Sequence, residues 1–389
     1  MWYFNSPQIV YGDDALSHLS TLKGSIAALI TDANLVKLDI AAQVQRTIES
    51  AGLRVVMFDQ VQPEPDLDTV RRGAAFLLDQ KPDWIVAVGG GSVIDAAKGM
   101  WVLYARPDTD PEAINPIEEF GLREKARFVA VPTTSGTGSE ATWAIVLTNP
   151  GERRKLGLGS REAIADIAIL DPALVAGLPP RLTADTGLDA LTHAVEGFTS
   201  TYHNDFSDGL CLKAAELVFR YLPRAYQNGA DSEARERMHN AAAIAGLGFG
   251  NSMAALAHGM GHSLGAVFHI PHGRAVALFL PYTIEYCVNG TDGRTRYREM
   301  ARFLGLPAED EKQAAQSLAG AVRELESQVD QPLRVANTGV SIADYQNELS
   351  LLIENALNDT QTIMSTRMPS ETELKNLFIY AFEGKSVDF

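Results

Sequence analysis

The sequence predicts an α/β half followed by an all-α half, on three observations. Apolar, β-rich runs alternate with amphipathic segments through the first part of the chain. Pro179-Pro180 then interrupts the pattern. Beyond it only helical periodicity remains, punctuated by Gly and Asn. The predicted domains are therefore 1–180, α/β, and 181–389, helical.

Strands are expected at IAALITD (26–32), LRVVMFD (53–59), WIVAVGGG (84–91) and RFVAVPTT (127–134). Shorter ones are expected at AIVLTN (144–149), KLGLGS (155–160) and IAILDP (167–172). Between the early strands, 34–51 and 66–80 repeat apolar residues at three and four, which predicts helices and a parallel, doubly wound sheet.

With 389 residues the chain exceeds one small core, so two domains are expected. Its net charge of −16 leaves no basic face for a phosphate backbone, so no nucleic-acid partner is expected. Two cysteines build no disulfide framework and fit a reducing, cytoplasmic setting. The first residues, MWYFNSPQIVYGDD, lack the basic and apolar regions of a signal peptide. The uncharged run from Met238 to Gly273 is the one segment resembling a membrane span. Its glycines and histidines argue instead for buried helices around a polar site, with no membrane partner.

Two glycine loops follow strands. In VAVGGGSVIDAAKG (86–99), Gly89, Gly90 and Gly91 remove Cβ atoms where a helix N-terminus offers free N–H groups, a place suited to phosphate. Ser92 adds a hydroxyl and Asp95 lies one turn on. A tight strand-to-helix turn without a ligand is the other reading. PTTSGTGSEAT (132–142) supplies Thr133, Thr134 and Thr137 for a ribose, phosphate or amide, or else simply caps a helix. Asp32, closing the first of these strands, is read from the sequence as a helix N-cap first and a ribose acceptor second.

The segment HGMGHSLGAVFHIPH (258–272) holds four of the chain's eight histidines. His258 and His262 are four apart, and His272 follows Ile270-Pro271, which must end or turn the helix. In TADTGLDALTHAVEGF (183–198), a helix opened by Thr183, Asp189 and His193 are also four apart and project about 40° from each other. Unpartnered buried imidazoles are costly. Together these groups point to a divalent metal with one Asp oxygen and several His nitrogens, suited to Fe²⁺ or Zn²⁺. His18, His203 and His239 read as structural or exposed.

Assembled, GGGSVIDAAKG, PTTSGTGSEAT, ILDP with GLP, GLDALTHAVEGF and HGMGHSLGAVFHIPHG resemble the iron-containing (group III) alcohol dehydrogenase family over essentially the whole chain. The resemblance implies a Rossmann-like nucleotide-binding domain and a helical metal-binding domain, a dehydroquinate-synthase-like architecture with the site in the cleft. It implies metal ligands Asp189, His193, His258 and His272, and makes His262 a proton-relay residue near nicotinamide and substrate. Gly90, Gly91, Ser92, Asp95, Thr133, Thr134, Thr137 and Lys155 become NAD(H) contacts. Asp32 becomes the carboxylate that favours NAD over NADP. His269 matches no functional position.

Departures fall around the substrate. Pro63-Glu64-Pro65 stands where an Asn-Pro is frequent, which puts Glu64 near the nicotinamide. Trp143 and Ala144 stand where a pocket Asn is frequent, and Phe249 keeps a pocket position. The family's C-terminal Asn-Pro-Arg is Arg367-Met368-Pro369. The implied reaction is reversible, NAD(H)-linked hydride transfer with a small, primary alcohol or its aldehyde, using Fe²⁺ or Zn²⁺, in a homodimer or larger homo-oligomer. A redox-neutral NAD- and metal-dependent cyclase and a glycerol-dehydrogenase-like polyol oxidation are the alternatives. Net NADH production from simple alcohols separates the cyclase.

Overall fold

The computed structural model describes residues 3–290 and 294–389. The chain divides into two compact units, the first ending at Leu178 and the second running from Pro179 to Phe389.

The first unit carries eight strands: β1 (Gln8–Tyr11), β2 (Ile26–Ile30), β3 (Arg54–Phe58), β4 (Trp84–Gly89), β5 (Arg127–Pro132), β6 (Ala144–Asn149), β7 (Arg154–Gly159) and β8 (Ile167–Leu170). Six form one all-parallel sheet in the order β1-β8-β5-β4-β2-β3. Alternate residues bury into different clusters on its two faces. Ala28, Ile30, Ile85, Ala87, Phe128 and Ala130 pack on one side, and Ala27, Leu29, Val86, Val88, Val129 and Val131 on the other. Burial of both faces explains why these strands read as apolar runs rather than alternating ones. β6 and β7 form a separate antiparallel hairpin with Thr148 opposite Lys155.

Among the described residues of this unit the α-helices are α1 (Ala33–Lys37), α2 (Ile40–Ser50), α3 (Leu67–Gln80) and α4 (Gly91–Ala105). The predicted single helix over 34–51 is two, because Asp39 takes φ +61° between them. β1 was not expected from the sequence. The switch point of the sheet lies between β2 and β4, since β3 lies outside β2 and the chain returns across it. In such sheets ligands collect at the carboxyl ends of the strands beside the switch. Asp32 follows β2 there, and the glycine turn follows β4.

The second unit is helical throughout its described residues: α5 (Pro180–Thr199), α6 (Asp205–Gln227), α7 (Ser232–Phe249), α8 (Leu256–Phe268), α9 (His272–Gly290), α10 (Tyr297–Phe303), α11 (Glu311–Gln328), α12 (Ile342–Asn358) and α13 (Glu371–Glu383). α5 begins three residues before Thr183, with Pro180 at its first position, where a missing N–H costs nothing. Thr183 instead hydrogen-bonds the Pro179 carbonyl. Between α8 and α9 the chain turns at His269, whose φ of +55° ends the helix before Ile270-Pro271. No described helix is long and apolar enough to cross a membrane.

Candidate metal centre and nucleotide turn

α5 carries Asp189 and His193 on one face, α8 carries His258, and α9 opens with His272. Gly273 lets α9 approach α5, because a Cβ there would lie 2.1 Å from the Asp185 carbonyl oxygen. One residue on, Arg274 grips Asp185 through both carboxylate oxygens, with Nη2 at 3.0 and 2.9 Å, fixing the start of α9 on α5.

The four side chains each offer one ligand atom, all within 4.8 Å of one another. Asp189 Oδ1 lies 3.7 Å from His193 Nδ1, 3.8 Å from His258 Nε2 and 3.4 Å from His272 Nε2. A tetrahedral site with bonds of about 2.1 Å has edges of about 3.4 Å, so these spacings suit a common ion. Asp189 Oδ1, His193 Nδ1 and His258 Nε2 are also buried without a hydrogen-bond partner. Three orphaned polar atoms facing one another would be a heavy penalty unless a cation joined them. The residues fit a divalent metal.

For His193 and Asp189 the electrostatics agree, whereas at His258 burial is outweighed by the carboxylates of Glu196 and Asp189, which raise the imidazole, so a metal there displaces a proton. Burial, then the neighbouring imidazoles, push His193 down to about 3, which keeps its lone pair available at neutral pH. Burial acts to raise Asp189, but the facing imidazoles outweigh it and hold the group as a carboxylate. Phe249 stacks flat on His193, with ring centroids 3.9 Å apart at 9°.

His262 lies one turn beyond His258 but its Nδ1 meets Asp359 Oδ2 at 2.7 Å. Burial lowers His262, partly opposed by Asp359. Glu196, also on α5, accepts from His258 Nδ1 at 2.5 Å. Sequence reasoning singled out neither Asp359 nor Glu196.

In the first unit the two glycine loops meet. A Cβ on Gly91 would lie 2.7 Å from Thr137 Cγ2, and one on Gly90 would lie 3.2 Å from Thr134 Cγ2. The glycines thus serve packing of the threonine loop as well as any ligand. The N-terminus of α4 has no side-chain cap, and its N-cap is Gly90. Ser92 sits in its first turn. Thr133 N–H bonds the Gly89 carbonyl, so Thr133 and Thr134 follow β5 beside this helix start.

Other expected cofactor and pocket residues have partners of their own. Asp95 is buried and accepts from the Ser139 hydroxyl and, at 3.0 Å, from Val146 N–H. Asp32 caps α1, but Oδ1 alone takes the Asn34 and Leu35 N–H groups. Lys155 Nζ lies 2.8 Å from Glu64 Oε1 and 3.0 Å from Thr148 Oγ1, so a cofactor candidate and a pocket candidate form an ion pair. Glu64 itself has φ +56°. Trp143 and Ala144 lead into β6, where the Ala144 carbonyl accepts from Lys98.

Residues 6–172 match the family described as iron-containing alcohol dehydrogenase, and residues 183–382 match the C-terminal part of the Fe-containing alcohol dehydrogenase family. The chain belongs to the iron-containing alcohol dehydrogenase family. An NADPH-dependent butanol dehydrogenase of Clostridium saccharobutylicum is 37% identical over 392 residues, covering all of both chains. A 1-propanol dehydrogenase of Citrobacter freundii is 36% identical, covering 81% of each. Against the bifunctional aldehyde-alcohol dehydrogenase of Escherichia coli, 36% identical, the match takes in 95% of this chain but 44% of that one. Among solved structures, the iron-containing alcohol dehydrogenase of Thermococcus thioreducens superposes with TM-score 0.90 at 29% identity, covering 99% of this chain and all of that one. A 1,3-propanediol oxidoreductase gives 0.90 at 32%, covering 98% of this chain and all of the other. The orphaned Asp189, His193 and His258 atoms thus belong to a family named for its metal.

Proposed function

We propose that this alcohol dehydrogenase transfers hydride reversibly between a small primary alcohol and NAD, at a metal held by Asp189, His193, His258 and His272. The observation that carries the reading is the set of three buried, partnerless ligand atoms facing His272 on α9. A divalent ion held there supplies Lewis acidity to the alcohol oxygen, and bound NAD supplies the hydride acceptor.

The chain's own residues do the rest. The Gly90–Gly91 turn and the uncapped start of α4 offer backbone N–H groups to a pyrophosphate. Ser92, Thr133, Thr134 and Thr137 add hydroxyls around it, while Asp95 holds Ser139 and Val146 in place behind them. Asp32 keeps Oδ2 for a ribose while Oδ1 caps α1. Its charge opposes a 2′-phosphate, which favours NAD even though the butanol dehydrogenase relative is named for NADPH. Lys155 reaches the ribose side of the cofactor only from within its pair with Glu64.

His262 uses Nδ1 on Asp359, leaving Nε2 to take the alcohol's proton and pass it to water. Phe249, stacked on His193 in the metal centre, shapes the room for the carbon chain. The names of the relatives support a short primary alcohol. Cys211 and Cys287 are buried thiols rather than a disulfide, in keeping with a cytoplasmic enzyme.

The test is a panel of alcohols and aldehydes with NAD(H) and NADP(H), after loading with Fe²⁺, Zn²⁺ or no metal. His258→Ala is expected to lose metal and activity together, and His262→Ala to keep metal and lose rate. Full activity in both variants, or turnover independent of metal, would sink the reading.

A further inference from the structure

Glu196 is a buried carboxylate whose one ion-pair partner among the described residues is His258. Its Oε2 accepts from His258 Nδ1 at 2.5 Å and from Ala255 N–H at 3.0 Å, and its Oε1 accepts from Ala257 N–H at 2.5 Å. Ala255 is the N-cap of α8 and has no side chain able to cap it. Glu196 therefore reaches from α5, the helix of Asp189 and His193, and ties down the start of the helix that carries His258.

We infer that Glu196 is a positioning residue for the metal: it fixes the tautomer of His258 and adds negative charge beside the ion. The inference rests on the metal reading proposed above. An Nδ1–H donated to Glu196 leaves the lone pair of His258 on Nε2, the atom that is buried and partnerless beside Asp189. Charge gives a second, independent reason. Three neutral imidazoles and Asp189 leave a divalent ion with one uncompensated positive charge. Glu196, in direct contact with a ligand, adds negative charge there, as Asp359 does from the side of His262. Without that ion, Glu196 and Asp189 would be two carboxylates buried with imidazoles as their only counter-ions.

Glu196→Gln is the informative variant because it keeps size but cannot keep all three bonds. With its amide nitrogen at the Oε1 position it faces the Ala257 N–H, donor against donor. With the nitrogen at the Oε2 position it faces Ala255 N–H and donates to His258 Nδ1, which moves the ring proton to Nε2 and blocks the metal.

The experiment compares wild type, Asp189→Asn and Glu196→Gln. It uses Zn²⁺ affinity measured against a chromophoric chelator, the absorption spectrum of the Co²⁺-loaded protein, and the melting of the metal-free forms. Glu196→Gln is expected to bind Zn²⁺ roughly 10- to 100-fold more weakly and to change the Co²⁺ band, as loss of a partner to a ligating histidine does. A Glu196→Gln that melts lower when metal-free but keeps wild-type affinity and spectrum would overturn the inference, leaving Glu196 a helix clasp only. Wild type that binds neither ion would overturn the metal reading itself. Wild type that binds while Asp189→Asn does not upholds that reading whatever Glu196→Gln does.

Discussion

At the scale of single residues, a carboxylate partner decides what each histidine can do. His258 and His262 are successive turns of α8, yet one is held by Glu196 and the other by Asp359. Asp359 fixes the proton of His262 on Nδ1 and leaves the Nε2 lone pair for the relay proposed above. Asp359→Asn can donate its amide to Nδ1 and reverse that tautomer. The variant is expected to lower kcat roughly 10- to 100-fold, less than the whole of a general base at 10²–10⁴, with Zn²⁺ affinity kept within about twofold. Steady-state rates and chelator competition check this, and loss of metal would place Asp359 in the ligand set instead. Part of this was legible. Asp189, His193 and Glu196 recur at i, i+4 and i+7, one stripe of one helix, so the glutamate was open to the argument that found the pair before it. Asp359 was not, because it lies far along the chain from His262 and no local spacing connects them.

At the scale of elements, one buried lysine fastens the helix after the glycine turn to the loop of threonines. Lys98 is wholly buried in α4 and its ammonium donates to the carbonyls of Ser139 at 2.7 Å, Thr142 at 2.8 Å and Ala144 at 3.0 Å. Burial pushes its pKa down to about 8, against the pull of Asp95 and Glu140. This clasp joins the helix after the glycine turn to the segment after Thr137. Lys98→Met would remove the ammonium from three carbonyls, of which that of Ser139 keeps Thr142 as a donor. It is expected to cost on the order of 3 kcal/mol in urea unfolding and to raise the KM for NAD more than that for alcohol. An unchanged midpoint would show that the segment holds without it. Asp95 and Lys98, the two charged side chains of a largely apolar helix, were the visible hint of such a clasp. The start of α3 was legible from its capping Asp66, whereas Pro180 at the first position of α5 was passed over for Thr183. Nor was the break at Asp39 legible, where an aspartate rather than a glycine takes the left-handed turn and the apolar spacing runs on unbroken. β1 escaped because a four-residue edge strand with intermediate burial has too little pattern to read.

For the whole molecule, the alternation of runs with helices was enough to anticipate a parallel sheet followed by helices, because burial on both faces leaves a continuous apolar signature. What no pattern fixes is stability, which depends on linkage. Glu326 in α11 is buried with both oxygens lacking partners, and burial holds its carboxyl well above the ordinary value of 4.5, despite Arg323. Such a group binds its proton more tightly folded than unfolded. Stability is therefore full below the unfolded value and falls as pH climbs toward the folded one. Glu326→Gln is expected to match wild type near about pH 4 and exceed it at neutral pH, read from urea midpoints; equal midpoints at both would contradict a buried, strained carboxyl. The metal adds a second linkage of opposite use. The proposed ligands come from α5, α8 and α9, so an unfolded chain presents no such site. An ion that binds only the folded form at a hundred times its Kd stabilises it by about 2.7 kcal/mol. Zn²⁺ is expected to raise the unfolding midpoint accordingly, EDTA to reverse the rise, and Asp189→Asn to abolish it. His262→Ala should retain the shift, because His262 is spent on Asp359 and stands outside the ligand set. A midpoint indifferent to metal in wild type would mean that the orphaned atoms of the centre are satisfied in some other way.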